Sequence, residues 1–94
     1  MSVRYTARAL AQLAKIFDYI ALDNPHAARE VQSKIKASIE SLTSFPFVGL
    51  ATDRPGVRVL TITRYPYRVF YRVHDDNEVL ILRILHAAQD QSRL

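Results

Sequence analysis

Apolar residues recur at two different periods along this chain, and the change of period divides it. Leu10, Leu13, Ala14, Phe17, Ile20 and Ala21 return at helical spacing with Arg8, Lys15 and Asp18 between them, which predicts an amphipathic helix. Thr6 stands where a hydroxyl caps its first turn. The helix must end near Asp23-Asn24, because Pro25 disfavours helical geometry in the residue before it. Pro25 is itself suited to open a second helix, where its missing N–H costs nothing. Ala28, Val31, Ile35, Ile39 and Leu42 then form one apolar stripe opposite Glu30, Lys34 and Lys36. So short a break folds the two helices into an antiparallel hairpin. Its expected docking residues are Leu13, Phe17, Val31, Ile35 and Ile39.

Phe45-Pro46-Phe47-Val48-Gly49 ends the hairpin, and the stretch from Asp53 to Gly56 reads as a turn. Beyond it the period becomes that of strands. Four are expected: Ser2 to Tyr5, Val57 to Thr63, Tyr67 to His74 and Val79 to Leu85, the last two joined through Asp75-Asp76-Asn77. Alternation places Tyr67, Val69, Tyr71 and Val73 on one face of their strand, with Arg68, Phe70 and Arg72 on the other. The final strand is apolar on both faces, which suits a central or well-covered position. The order is β-α-α-β-β-β. This predicts an α+β fold in which the helical hairpin packs on one face of a small, mainly antiparallel sheet. Residues 1–94 are the length of one domain.

Composition narrows the function classes. Apolar residues make up 49% of the chain, as in a globular protein, and cysteine is absent, so neither disulfides nor thiolate metal sites are expected. No histidine–carboxylate spacing suggests a metal, and no cofactor is expected. The N-terminus lacks a signal-peptide core, and the longest apolar run, Val79 to Leu85, is interrupted by Arg83 and too short for a membrane. A cytoplasmic location is the expectation. Net charge is +4. Between Asp53 and Asp75 stand Arg54, Arg58, Arg64, Arg68 and Arg72, with no acid and no lysine, interleaved with Tyr65, Tyr67, Phe70 and Tyr71. Arginine offers a planar fork to phosphate or carboxylate. RNA-binding surfaces use this mixture, an acidic protein partner would also suit it, and a solvated sheet face remains the plain alternative.

The element order, together with Asn24-Pro25-x-Ala27-Ala28, Tyr67-Arg68-Val69-Phe70-Tyr71-Arg72-Val73 and Ile81-Leu82-Arg83-Ile84-Leu85-His86, resembles the RelE/ParE toxin superfamily of type II toxin–antitoxin systems. The resemblance runs from Tyr5 to Asp90. It implies a growth-inhibiting toxin, of the kind involved in plasmid stabilization, neutralised by a cognate antitoxin that wraps it. Operator DNA would be reached only through that antitoxin. It also implies one of two poisons: RelE-like members cut messenger RNA on the ribosome, and ParE-like members inhibit DNA gyrase without cutting anything.

Cleavage of RNA needs a base, cations for the phosphate charge and an acid for the leaving oxygen. Arg68 matches the family arginine of the middle strand. Val59 and Thr61 fall where RelE-like chains carry lysines, and Gln89 falls on the C-terminal basic position. His86-Ala87-Ala88-Gln89-Asp90 resembles a ParE-like ending with its arginine lost. His86 could act as an acid or base, although a single histidine at a strand end is more often structural. The depleted set favours the ParE-like, non-enzymatic reading, with a RelE-like endoribonuclease using Arg68, Arg83 and His86 as the alternative. Arg58, Arg68, Arg72, Arg83 and His86 are the candidates for binding target or antitoxin. His26 and His74 are expected at the surface.

Overall fold

The chain builds its elements in the computed structural model, which describes residues 1–75 and 77–89, as follows. Strand β1 (Ser2–Tyr5) leads into helix α1 (Ala7–Ala21), and helix α2 (Pro25–Glu40) returns and runs into a short 3-10 turn, Ser41–Thr43. Strands β2 (Leu50–Ala51), β3 (Val57–Thr61), β4 (Tyr67–His74) and β5 (Glu78–His86) follow, and a second 3-10 turn spans Ala87–Gln89. The sheet order is β1-β5-β4-β3-β2, with β1 parallel to β5 and every other pair antiparallel. Both helices pack on one face of this five-strand mixed sheet, as the pattern predicts. Asp76, in the expected Asp75-Asp76-Asn77 turn, lies outside the described residues.

Local chemistry explains the helix ends. The Thr6 hydroxyl accepts the Ala9 N–H at 3.0 Å, and Asn24 Oδ1 accepts the Ala27 N–H at 3.0 Å, each satisfying an amide that the first turn leaves without an intrahelical partner. Pro25 occupies the first turn of α2.

The core lies between helices and sheet. Ala9 and Leu13 from α1, and Val31, Ile35 and Ile39 from α2, close over Val69, Tyr71, Val79, Ile81 and Ile84. The phase of α1 differs from the expected one. Half-buried Ile16 and Ile20 pack against the core beside Leu13, whereas Phe17, also half-buried, is not among the residues packed on it, and Leu10 stays 53% exposed. Helical periodicity marks an apolar stripe but fixes its centre poorly when the stripe is wide. Strand boundaries also shift: β3 stops at Thr61 rather than Thr63, and β5 runs from Glu78 to His86. The two-residue edge strand β2 has no pattern long enough to read.

Strand β5 is not regular. Phe70 pairs with Arg83 but Tyr71 pairs with Ile81, so Leu82 is an extra residue. Helix α1 repairs the ladder there. Thr6 donates through its hydroxyl to the Leu82 carbonyl at 3.1 Å, and Gln12 Oε1 accepts the Ile84 N–H at 2.8 Å.

A second buried link joins the loop after α2 to the sheet. Tyr71 is fully buried, and its hydroxyl accepts the Gly49 N–H at 2.9 Å. A Cβ on Gly49 would stand 2.6 Å from that hydroxyl oxygen and 2.9 Å from the Val59 carbonyl. Only glycine allows this approach.

Leu13→Ala is expected to cost about 2–5 kcal/mol in denaturant melts, as for a buried leucine, and Phe17→Ala less than that. The reverse ranking would mean that α1 is rotated about its axis. Burial raises the pKa of Tyr71, partly offset by the Gly49 hydrogen bond and the Arg58 charge. Burial likewise raises Tyr5, with Glu40 adding to it, and Tyr67, with Tyr19 adding to it. Folding therefore favours the protonated phenols. Their contribution is fully present below the unfolded tyrosine value of about 10 and is lost as pH climbs through the higher folded values. Melts across alkaline pH should show stability falling in that window, and less steeply in Tyr71→Phe.

Candidate functional site

The β4–β5 register decides which arginines meet. On β4, Arg68, Phe70 and Arg72 leave the face away from the helices, since Tyr67, Val69 and Tyr71 between them enter the core. Arg83 sits directly across from Phe70, and so diagonal to both Arg68 and Arg72. Such diagonal neighbours stand about 7–8 Å apart, within reach of long side chains. On the other side, β3 presents Thr61 beside Arg68, Val59 beside Phe70 and Val57 beside Arg72. Phe70 is 3% exposed and Val57 1% exposed, although neither belongs to the helix-side core. The face is thus an apolar floor under three half-buried arginines, whose aliphatic stems cover apolar surface while the guanidinium groups stay polar.

The remaining candidates lie elsewhere. Arg58 pairs with Tyr71 and so projects from the helix side of the sheet. Its Nη1 donates to the Gly49 carbonyl at 2.8 Å and the Phe47 carbonyl at 3.2 Å, and its guanidinium carbon lies 5.1 Å from the centre of the Phe47 ring. It clamps the 45–49 loop, where Phe45, Phe47 and Val48 remain exposed. His86 pairs with Tyr67, also on the helix side, and meets its ring edge-on at 5.3 Å between centroids. Its Nδ1 accepts the Ala88 N–H at 2.9 Å, so the neutral ring carries its proton on Nε2. Of the five candidates, then, Arg68, Arg72 and Arg83 are brought together, and Arg58 and His86 are not. The side chain of Gln89, and Asp90 beyond it, lie outside the described residues.

Arg72 has a partner that the sequence did not suggest. Its Nη1 reaches the Pro55 carbonyl at 3.5 Å and lies where a Cβ on Gly56 would come within 2.8 Å. Gly56 also has a φ of +78°, which side-chain-bearing residues rarely adopt. A separate groove of about 470 Å³ opens between the helices, lined by Tyr5, Leu10, Leu13, Ala14 and the polar Gln32, Lys36 and Glu40. The legible signal for it was Leu10, apolar in pattern yet left uncovered. Among the described residues there is no cluster of histidine and carboxylates able to hold a metal, and no helix long and apolar enough to cross a membrane.

The family model described as the ParE toxin of the type II toxin–antitoxin system parDE matches residues 3–91. The chain is 37% identical to Y4kP of Sinorhizobium fredii over 93% of its length and 88% of that protein's. It is 41% identical to the toxin RelE2 of Caulobacter vibrioides over 93% of its length and 96% of that protein's. A solved chain from the chromosomal ParDE toxin–antitoxin system of P. aeruginosa superposes with a TM-score of 0.80 at 34% identity, covering 92% of this chain and 95% of that one.

Gly56→Ala is expected to destabilise the fold by about 1–2 kcal/mol through its positive φ. The clash with Arg72 should add to this, so Arg72→Ala in the same chain should recover part of the loss. A double-mutant cycle measures the coupling. Strictly additive effects would show that the Arg72 guanidinium does not rest on this turn.

Proposed function

The chain belongs to the ParE toxin family of type II toxin–antitoxin systems, and from that premise we propose that it acts by binding DNA gyrase and stalling replication, without cutting RNA. The observation that carries this reading is the neighbourhood of Arg68. Its two cross-strand neighbours are Thr61 and Leu85, neither of which moves a proton at neutral pH. Val59, the other β3 position where RelE-like chains resemble each other in carrying a lysine, lies across from Phe70. His86 is on the opposite face with Nδ1 engaged by a backbone amide. His74 shares the face of Arg68 but is six residues along β4, about 20 Å away at strand rise. Among the described residues, the positions paired across the strands from Arg68 hold no proton-transfer group, and cations over an apolar floor favour binding a surface over completing a cleavage site.

The same reading supplies a cognate antitoxin. The groove between α1 and α2 is floored by leucine and alanine and flanked by Lys36 and Glu40, which suits the apolar stripe of an amphipathic segment. The arginine face offers an acidic partner segment a second contact. A relative 41% identical bears the name RelE2, so ribosome-dependent cleavage is the competing outcome that the test must separate.

Induction of the chain alone is expected to arrest growth with DNA synthesis failing before protein synthesis, and co-expression of the antitoxin should restore growth. Pulse-labelling of DNA and protein after induction distinguishes the two. In Arg68→Ala and Arg83→Ala, antitoxin affinity should fall and become less salt-dependent, since exposed charges are screened over about 8 Å at physiological ionic strength. Messenger RNA cut on ribosomes by the wild type but not by Arg68→Ala would replace this reading with the endoribonuclease.

A further inference from the structure

We propose that the cleft where α2 meets the β3–β4 turn is a phosphodiester-binding site that holds the backbone of a nucleic-acid strand through Arg29, Lys34 and Arg64. The cleft has a volume of about 490 Å³, and Ser33 and Tyr65 complete its polar wall. All three cations are exposed, and among the described residues none of them makes a hydrogen bond or ion pair. The carboxylate of Glu30 stands 3.5 Å from His26 Nε2, an ion pair when that imidazole is protonated. Three cations of like sign around one concavity repel one another, an arrangement that a bound polyanion relieves.

Arg64 supplies an independent reason. Its φ is +77°, in the left-handed region. The other described residues with positive φ are Asn77 and Gly56, types that tolerate that region well. A long side chain is strained there. The strain is held by a well-tied turn. Tyr67 N–H donates to the Tyr65 carbonyl at 2.8 Å, Ile62 N–H to the Tyr67 carbonyl at 3.0 Å, and Ala87 N–H to the Pro66 carbonyl at 2.6 Å. Tyr65 also packs against the core. A fixed turn thus presents a guanidinium to the cleft at a position where glycine would be the cheaper residue.

Phosphate fits these groups better than a carboxylate-rich peptide. Two guanidinium forks, one ammonium and a hydroxyl are donors for phosphate oxygens, while the phenol ring of Tyr65 is a surface for a base. Glu30 at the rim repels either kind of anion, and it can accept from the exocyclic amine of a base.

The test is fluorescence anisotropy of the intact chain with a short labelled single-stranded oligonucleotide and with a labelled duplex, across a range of salt. The triple variant Arg29→Ala/Lys34→Ala/Arg64→Gly should bind about tenfold more weakly or worse, and the slope of log affinity against log salt should shrink by about 2 on the single strand, at roughly 0.7 per lost phosphate contact. Arg64→Gly alone should raise the melting temperature while lowering affinity, which separates loss of the site from loss of the fold. Arg68→Ala/Arg72→Ala, which leaves the cleft intact, should keep the difference between the cleft and its triple variant. The proposal is overturned if the triple variant binds both probes as the wild type does. It is overturned equally if a polyglutamate peptide binds the cleft in preference to either oligonucleotide.

Discussion

Strand β5 carries apolar residues at both odd and even positions, and strict alternation from Val79 and Ile81 would carry Arg83 into the core between helices and sheet. Burying an arginine there without a partner costs several kcal/mol. The extra residue at Leu82 avoids this by shifting the alternation by one: Val79 and Ile81 are followed into the core by Ile84, and Arg83 goes to the outer face opposite Phe70. A bulge leaves backbone groups unpaired, and those are met by α1, through Thr6 on the Leu82 carbonyl and Gln12 on the Ile84 amide. Each such bond contributes only about 1 kcal/mol net, but leaving the groups unpaired would cost more. The docking of α1, the packing of the core and the gathering of the three arginines therefore rest on one irregularity.

Once that shift is made, the two faces of the sheet acquire different chemistry. The helix side is apolar at its centre and uses Arg58 as an internal fastening: two carbonyls and an aromatic ring of the 45–49 loop hold the guanidinium. Tyr71 beside it fastens the same loop from below through Gly49. On the outer side, Arg72 also leans on backbone, at Pro55, but across a longer and weaker contact. Arginines that look alike along the chain are thus divided between holding the fold and presenting charge, and register is what divides them.

The sequence announced the helical hairpin, the β4–β5 pairing and the two faces of β4, because each depends on local periodicity, a cap or a turn. Thr6 and Pro25 act where short-range rules put them. What the sequence did not announce depends on contacts between distant residues. The bulge needs Gln12, 72 positions from its partner Ile84, to make it tolerable. The rotation of α1 towards Ile16 rather than Phe17 is set by what the sheet offers to pack against. Arg58 and His86 share residue types and neighbourhood with Arg68 and Arg83, yet the pleat sends them to the other face. The strain at Arg64 has no sequence signal at all, since arginine is an ordinary residue in a turn until its φ is known.

The relation between this fold and its mode of poisoning follows from how little separates a binding face from a catalytic one. A fold by itself hosts either. Cations that hold a phosphate or carboxylate equally well before and during a reaction lower the energy of the bound state and the transition state together, and so confer affinity without rate. Rate requires in addition a group that gives or takes a proton within hydrogen-bond reach of the reacting atoms. On the outer face the positions next to Arg68 are filled by a threonine and a leucine, and the histidine nearest in sequence to Arg83 is turned to the far side, with one ring nitrogen accepting from the chain itself. The same arginines, with a lysine at Thr61, would stand beside a proton-transfer group. Relatives bearing either name share nearly the whole length of this chain, so the overall fold does not by itself separate a face that binds from one that cleaves.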